Sequence, residues 1–138
     1  ALIRSVQRQA GRVVSHEVAP AQPETFVRAL AELLPTGTVQ REDAAAWVAF
    51  GAAASTRPWL ADPYWEALQT MRTWVEGVLA DARKAGRMRA DLTPAEGARL
   101  VTAIVNGLTL DLLNAPPTES DEVIGQLRSG LGLILRGL

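Results

Sequence analysis

Helix-period apolar segments, separated by proline and glycine, are the feature of this 138-residue sequence that most constrains its fold. The six segments cover roughly residues 2–18, 24–34, 42–55, 63–85, 94–113 and 119–138. Alanine and leucine, both strong helix formers, dominate the apolar residues, and no stretch of convincing length alternates as a strand does. The sequence therefore predicts one all-α domain over residues 1–138, a helical bundle of about six helices.

Local signals mark the ends of several predicted helices. Thr93-Pro94-Ala95-Glu96 is the strongest, because threonine can cap, proline suits the first helical position and Glu96 can complete a capping box. Asp62-Pro63 predicts the start of the long fourth helix in the same way, and Trp65 is assigned to its buried stripe. Gly86 predicts its end. Thr118 or Ser120 is expected to cap the last helix.

Charge and composition exclude several classes of function. The net charge of −1 gives no basic field for nucleic acid, and the absence of cysteine excludes disulfides and thiolate metal sites. No apolar run reaches the roughly 18 residues that span a bilayer, and the first residues do not form a signal peptide. We therefore expect a cytoplasmic protein without a membrane partner. The single histidine, His16, is expected at a solvated helix position. We expect no catalytic residues, no metal site and no cofactor.

The two C-terminal helices carry more apolar surface than one subunit is expected to cover. Residues 94–113 are apolar on most sides, and nothing follows residues 119–138 to cover them, so the surface predicts a self-association site. A two-fold interface is the commonest solution, which here gives a four-helix bundle made by two helices of each homodimer subunit. The predicted interface residues are Leu108, Leu112, Leu127, Leu131 and Ile134, with the small residues Gly125, Ser129 and Gly132. The alternative is that these helices simply complete the core of one chain.

The central helices predict a small-molecule pocket. Aromatic residues are scarce, yet several fall on adjacent helices together with two polar residues of the penultimate helix. Apolar surroundings with a few polar groups are the usual make-up of a ligand site, and indole faces suit a flat or cationic compound. The candidate ligand-binding residues are Trp47, Phe50, Met71, Trp74, Asn106 and Thr109. The alternative is that these side chains fill the core, with Asn106 bonded to a neighbour. For Asp111 two roles remain open: it pairs with an arginine across the dimer interface, or it points into the pocket and favours a cationic ligand.

Two stretches of the sequence resemble TetR-family transcriptional regulators. Residues 85–96 look like the connection before that family's penultimate helix, and residues 98–108 resemble the helix itself, with Asn106 where an acidic residue is common. Ala46-Trp47-Val48-Ala49-Phe50 is similar to the Trp-x-x-Phe of the betaine-repressor-like branch. The resemblance implies the effector-binding and dimerisation domain of a regulator.

The resemblance also implies partners and a mechanism. Such proteins are homodimers, usually repressors, and a small effector changes their binding to DNA. Residues 1–19 resemble the helix that connects to a helix-turn-helix domain, and this domain has no counterpart in the sequence, so DNA binding is expected only through a part absent from this chain. An enzyme is disfavoured because convergent ionisable residues are lacking. A helical interaction or dimerisation module without a ligand remains the alternative.

Overall fold

The computed structural model describes residues 2–116 and 120–138, and it confirms the all-α prediction. Six α-helices lie within these residues: α1 Leu2–Val14, α2 Glu24–Ala31, α3 Thr38–Ala54, α4 Pro58–Lys84, α5 Pro94–Asn114 and α6 Ser120–Leu131. Among the residues described, none of these helices is both long and apolar enough to cross a membrane.

The long helix α4 begins five residues earlier than the sequence predicted. Pro58 takes the first helical position after Arg57, whose backbone is extended, so the assignment of Asp62 and Pro63 to the helix start is wrong. Pro63 instead lies inside the helix and removes the hydrogen bond that its N–H would donate to the Trp59 carbonyl. Pro63 and Trp59 are both exposed, so water can satisfy that carbonyl.

The ends of other helices also differ from the prediction. Helix α3 starts at Thr38 instead of residue 42, while α1, α2 and α6 stop three to seven residues short. The residues after α6 are held by backbone pairing instead. Arg89 N–H donates to the Ile134 carbonyl at 3.0 Å, and Arg136 N–H donates to the Arg87 carbonyl at 2.7 Å. This short antiparallel bridge fastens the end of the chain to the α4–α5 connection.

The α4–α5 connection has the helix end and the helix start that the sequence predicted. Thr93 and Glu96 form the predicted capping box in both directions, with Pro94 at the first turn of α5. Gly86 adopts φ +75, and its N–H and that of Arg87 donate to the carbonyls of Arg83 and Ala82. This is the Schellman arrangement, in which a left-handed glycine ends the helix as predicted. The caps predicted for α6, Thr118 and Ser120, lie outside the described side chains.

The core lies where α2, α4, α5 and α6 meet. Helices α4 and α5 run antiparallel, since Leu79 approaches Gly97 near one end and Arg72 donates to Thr102 further along. Their buried side chains pack with those of α2 and α6 in one cluster. Its largest fully buried members are Phe26, Leu30, Leu34, Leu79, Leu127, Leu131 and Ile134. Helices α1 and α3 cover the remaining side of α2, α4 and α5.

Trp65 does not belong to the buried stripe of α4. Its side chain is 53% exposed, and the guanidinium of Arg72 lies 5.4 Å from its ring centroid. The early start of α4 accounts for this, because the first two turns extend beyond the core. Trp65 is therefore a surface aromatic with a cationic neighbour.

Candidate ligand-binding cavity

The helices enclose a cavity of about 400 Å³ on the side where α1 and α3 meet the rest of the bundle. Side chains of five helices line it, from α1 to α5, and most of these side chains are apolar. A volume of this size lies within the range of small-molecule sites in proteins. The bundle therefore surrounds a space that its own side chains leave unfilled.

Five of the six candidate ligand-binding residues lie around this cavity: Trp47, Met71, Trp74, Asn106 and Thr109. Phe50 does not reach it. This ring is 7% exposed and stands edge-on to Trp47, with the ring centroids 6.0 Å apart, and to Tyr64 at 5.4 Å. Phe50 therefore supports the position of Trp47, whose own ring stacks on Tyr64 at 4.8 Å.

Asn106 is held by the indole of Trp47. The Trp47 Nε1–H donates to the Asn106 Oδ1 at 3.1 Å, which joins α3 to α5 across the cavity wall. Within the described residues the Asn106 Nδ2 has no hydrogen-bond partner. The hydroxyl of Thr109 donates to the Val105 carbonyl at 2.7 Å and so needs no ligand to satisfy its proton. Asn106 therefore presents a free amide donor, while Thr109 presents only acceptor capacity.

Helix α1 supplies a wall that the sequence reasoning did not include. Val6, Gln9, Ala10 and Val13 line the cavity from this helix. Gln9 is 7% exposed, and no hydrogen bond of its side-chain amide exists among the described residues. The four positions follow the i, i+3, i+4, i+7 pattern of one helix face. A glutamine inside an apolar stripe is the sequence signal that could have identified this wall.

The cavity lining contains no ionised side chain among the residues described. Asp111, which the sequence left between two roles, is exposed and lies outside the lining. The space is therefore bordered by apolar groups, two indoles, threonine hydroxyls and primary amides. Such a lining binds through shape, dispersion and a few hydrogen bonds.

Another face of α1 is tied to α3 through a buried carboxylate that the sequence reasoning also missed. Asp43 is fully buried, and its two oxygens accept hydrogen bonds from Arg8 Nη2 at 2.5 Å and Arg12 Nη1 at 2.9 Å. The hydrogen bond from Arg8 is the main reason why the pKa of the Asp43 carboxyl lies below its ordinary value. Arg12 acts in the same direction and burial opposes both. The Arg8 and Arg12 spacing of four places both guanidiniums on one carboxylate.

Glu32 and His16 extend this network toward α2. Arg12 Nε lies 4.0 Å from Glu32 Oε1, and His16 Nε2 lies 2.7 Å from Glu32 Oε2. His16 follows the end of α1 and is only about one-third exposed, so the prediction of a solvated helix position is wrong. The polar groups at the end of α1 thus contact both α2 and α3.

We expect acid to remove the stability that the Asp43 carboxylate contributes. Its pKa is lower in the folded than in the unfolded chain. The contribution is therefore complete above the unfolded pKa of about 4 and is lost as the pH falls toward and through the folded value. Urea unfolding at pH 7, 5, 4 and 3 should show a difference between the original protein and Asp43→Asn that is constant down to pH 5 and shrinks below pH 4. A difference that stays constant to pH 3 would contradict the assignment.

The predicted interface residues fall into two groups. Leu127, Leu131 and Ile134 are at most 1% exposed and Leu112 is 9% exposed, so they already pack in the core of the chain itself. Gly125 and Leu108 are half-buried, and Ser129 and Gly132 are exposed. The close approach of α5 and α6 occurs at Gly130, where a Cβ would lie 3.1 Å from Ile104. Gly125, Ser129 and Gly132 therefore do not form that contact.

Helix α5 presents an exposed apolar stripe. Leu100, Ala103, Gly107 and Leu110 are all exposed and follow the 3-4-3 spacing of one helix face. The two leucines are 45% and 49% exposed, and a Cβ at Gly107 would meet nothing within 4 Å. The α5 stripe is thus a shallow surface with a leucine at each end and small residues between them.

Solved structures of similar proteins share this fold. A transcriptional regulator from Rhodococcus sp. Rha1 is 26% identical, with a TM-score of 0.82 over 99% of this chain and 72% of that chain. A structure described as a TetR-family transcriptional regulator from Rhodococcus sp. is 18% identical, with a TM-score of 0.83 over 97% of this chain and 71% of that chain. A structure described as a transcriptional regulator from Saccharomonospora viridis in complex with choline is 23% identical, with a TM-score of 0.81 over 99% and 72%.

Comparison of the sequence with known families identifies the family of this chain. No curated protein matches this sequence. Residues 22–136, however, match the family described as BetI-type transcriptional repressor, C-terminal. This match covers the helices from α2 to α6, including most of the cavity wall and the α5 stripe. The chain therefore belongs to the TetR-family transcriptional regulators, as a BetI-type C-terminal domain.

Proposed function

We propose that this chain is the ligand-responsive and dimerisation domain of a repressor, and that it binds a small hydrophobic or cationic effector in the cavity. The observation that carries the proposal is the partly open space of about 400 Å³ bordered by five helices. A bundle whose only task was to hold two subunits together would gain stability by filling that space, since empty volume forfeits packing contacts. A relative of the same fold holds choline, which supports a small-molecule role.

We propose that the effector acts by shifting a population of helix arrangements. The cavity is bordered by α1 on one side and by α4 and α5 on the other, so its occupancy bears on the relative positions of these helices. The effector must bind one arrangement better than the other, because equal affinity would change nothing. DNA binding would be carried by residues outside this chain, to which α1 leads.

A cavity-filling variant tests the ligand site. Ala67 is a half-buried cavity residue of α4, so Ala67→Phe should occupy the space with little effect on the core. We expect small hydrophobic compounds to raise the Tm of the original protein at millimolar concentration. The same compounds should leave the Tm of Ala67→Phe unchanged, with affinity reduced about tenfold or more.

The control for this test is Gln69→Phe, an exposed position on the same helix that does not line the cavity. It should respond to the compounds as the original protein does. A broad set of compounds that never raises the Tm of the original protein would contradict the proposal. That result would instead favour an interaction module without a ligand.

We also propose that the domain forms a homodimer through the α5 stripe together with the outward face of α6. The α5 stripe is exposed apolar surface at helical spacing, and Ser129 and Gly132 of α6 add small exposed positions. Contiguous exposed apolar surface marks an interaction site, and small residues allow helices to approach closely. The buried leucines of α6 stabilise each subunit and position this face.

A further inference from the structure

We infer that the effector is an uncharged molecule with a hydrogen-bond acceptor, such as a ketone, ester or amide, and that Gln9 of α1 determines this specificity. The inference rests on the proposed ligand-binding role of the cavity and narrows it. It follows from two observations: the free amides on the cavity wall and the absence of any ionised side chain there.

Gln9 is a buried polar group without a partner. Its side chain is 7% exposed, lines the cavity and makes no hydrogen bond with any described residue. Buried amides in folded proteins are almost always hydrogen-bonded, so an unpartnered one at a cavity wall points to a ligand or water. The amide offers two donor hydrogens and one acceptor oxygen.

Asn106 adds a second donor, from α5. Its oxygen accepts from Trp47, which fixes the orientation of the amide and leaves the NH₂ group free. Gln9 on α1 and Asn106 on α5 therefore each place an amide NH₂ group without an acceptor on the cavity wall. A carbonyl oxygen, which accepts two hydrogen bonds, suits this arrangement better than an ammonium group, which can only donate.

The cavity gives a cation little stabilisation. Among the described residues no carboxylate lines the space, and the three charged residues of α1, Arg4, Arg8 and Arg12, are all cations. Of the described residues, two tryptophans line the cavity, and the ring of each already packs on another ring. Trp47 stacks on Tyr64, and Trp74 lies against Phe26 at 5.8 Å. A buried cation without a counter-charge or an open aromatic cage is strongly disfavoured.

Three compounds with one carbon skeleton test the inference. They are 4-phenyl-2-butanone, which carries an acceptor, 4-phenyl-2-butylamine, which carries a positive charge, and n-butylbenzene, which has neither. Affinities are measured on the full chain by titration of tryptophan fluorescence, with the Tm shift as a second readout. We expect the ketone to bind about tenfold more tightly than the hydrocarbon, and the amine to bind most weakly.

The variant Gln9→Leu keeps the approximate size of the side chain and removes the amide. It should clearly reduce the advantage of the ketone, since only the Asn106 donor remains, while leaving the affinity for n-butylbenzene equal or higher, which also shows that the cavity is intact. Gln69→Leu is the matched control, since Gln69 is exposed and lies outside the lining. If Gln9→Leu does not fold, Gln9→Met serves in its place, with circular dichroism as the check.

The outcomes separate this inference from the proposed function. Amine binding as tight as ketone binding overturns the neutral-ligand inference, while the ligand-binding role stands. A ketone advantage that is undiminished in Gln9→Leu overturns the assignment of Gln9. Absence of binding by all three compounds contradicts the ligand-binding role itself, and the inference falls with it.

Discussion

Asp43→Ala should lower the free energy of unfolding by about 3 kcal/mol, the largest effect expected from any single polar residue of the chain. The carboxylate is fully buried and accepts hydrogen bonds from two arginines of α1. Removing one member of a buried ion pair leaves the remaining charges without compensation. The loss is a large share of the 5–15 kcal/mol that stabilises an ordinary domain.

Arg12 decides how large this effect is. Its side chain is 21% exposed, and its Nε and Nη2 atoms are buried without a hydrogen-bond partner in the described part of the chain. Without Asp43, the guanidinium keeps only the more distant Glu32, 4.0 Å away, as a counter-charge. Adding Arg12→Met to Asp43→Ala should therefore recover part of the lost stability, since the uncompensated cation is removed.

Urea unfolding measures these variants, and Asp81→Ala is the control. Asp81 is exposed on α4, so its replacement should change the free energy of unfolding by no more than about 0.5 kcal/mol. An Asp43→Ala variant that loses as little as the control would show that the network between α1 and α3 contributes nothing net. Loss without recovery by Arg12→Met would show that the uncompensated charge is not the cause.

Leu110→Glu should weaken the proposed homodimer by about a hundredfold or more. Leu110 ends the α5 stripe and is 49% exposed in the single chain. A two-fold interface contains every substitution twice, so two carboxylates would be buried near each other. The same change should leave the fold of the subunit intact, because this side chain contributes little to the core.

Sedimentation at several micromolar concentrations distinguishes monomer from dimer. Trp59→Glu is the control, because Trp59 is another large exposed apolar residue, 71% exposed at the start of α4. We expect this control to remain dimeric. A Leu110→Glu protein that sediments as the original does would exclude the α5 stripe from the interface, and an original protein that is monomeric throughout would contradict dimerisation.

The parts of the fold that local chemistry specifies were predictable from the sequence. Thr93 and Glu96 satisfy each other's backbone N–H groups three residues apart, and Gly86 supplies a left-handed residue that few others adopt. Pro63 was misassigned because Asp-Pro is a strong local start signal, while Pro58 supplies a proline at the first helical position five residues earlier. Local rules alone do not choose between two such positions.

The candidate site was only partly predictable, because its remaining members depend on distant pairings. Trp47 and Asn106 were singled out by residue type, and the structure joins them although they lie 59 positions apart. Asp43 was not singled out, because its partners lie 31 and 35 positions earlier and no local pattern links them to it. Gln9 was passed over because α1 had been interpreted as a connecting segment and not as a cavity wall.

Helix α1 has one face on the cavity and another on the Asp43 network, so an effector that displaced this helix would also act on its contact with α3. If an effector alters the strength with which α1 holds a neighbouring segment on its target, that target must alter the effector's affinity by the same factor. The effector constant of the isolated domain would then differ from that of a complete regulator bound to its target. Through α1, effector binding would then change the affinity for the target, and target binding would change the affinity for the effector.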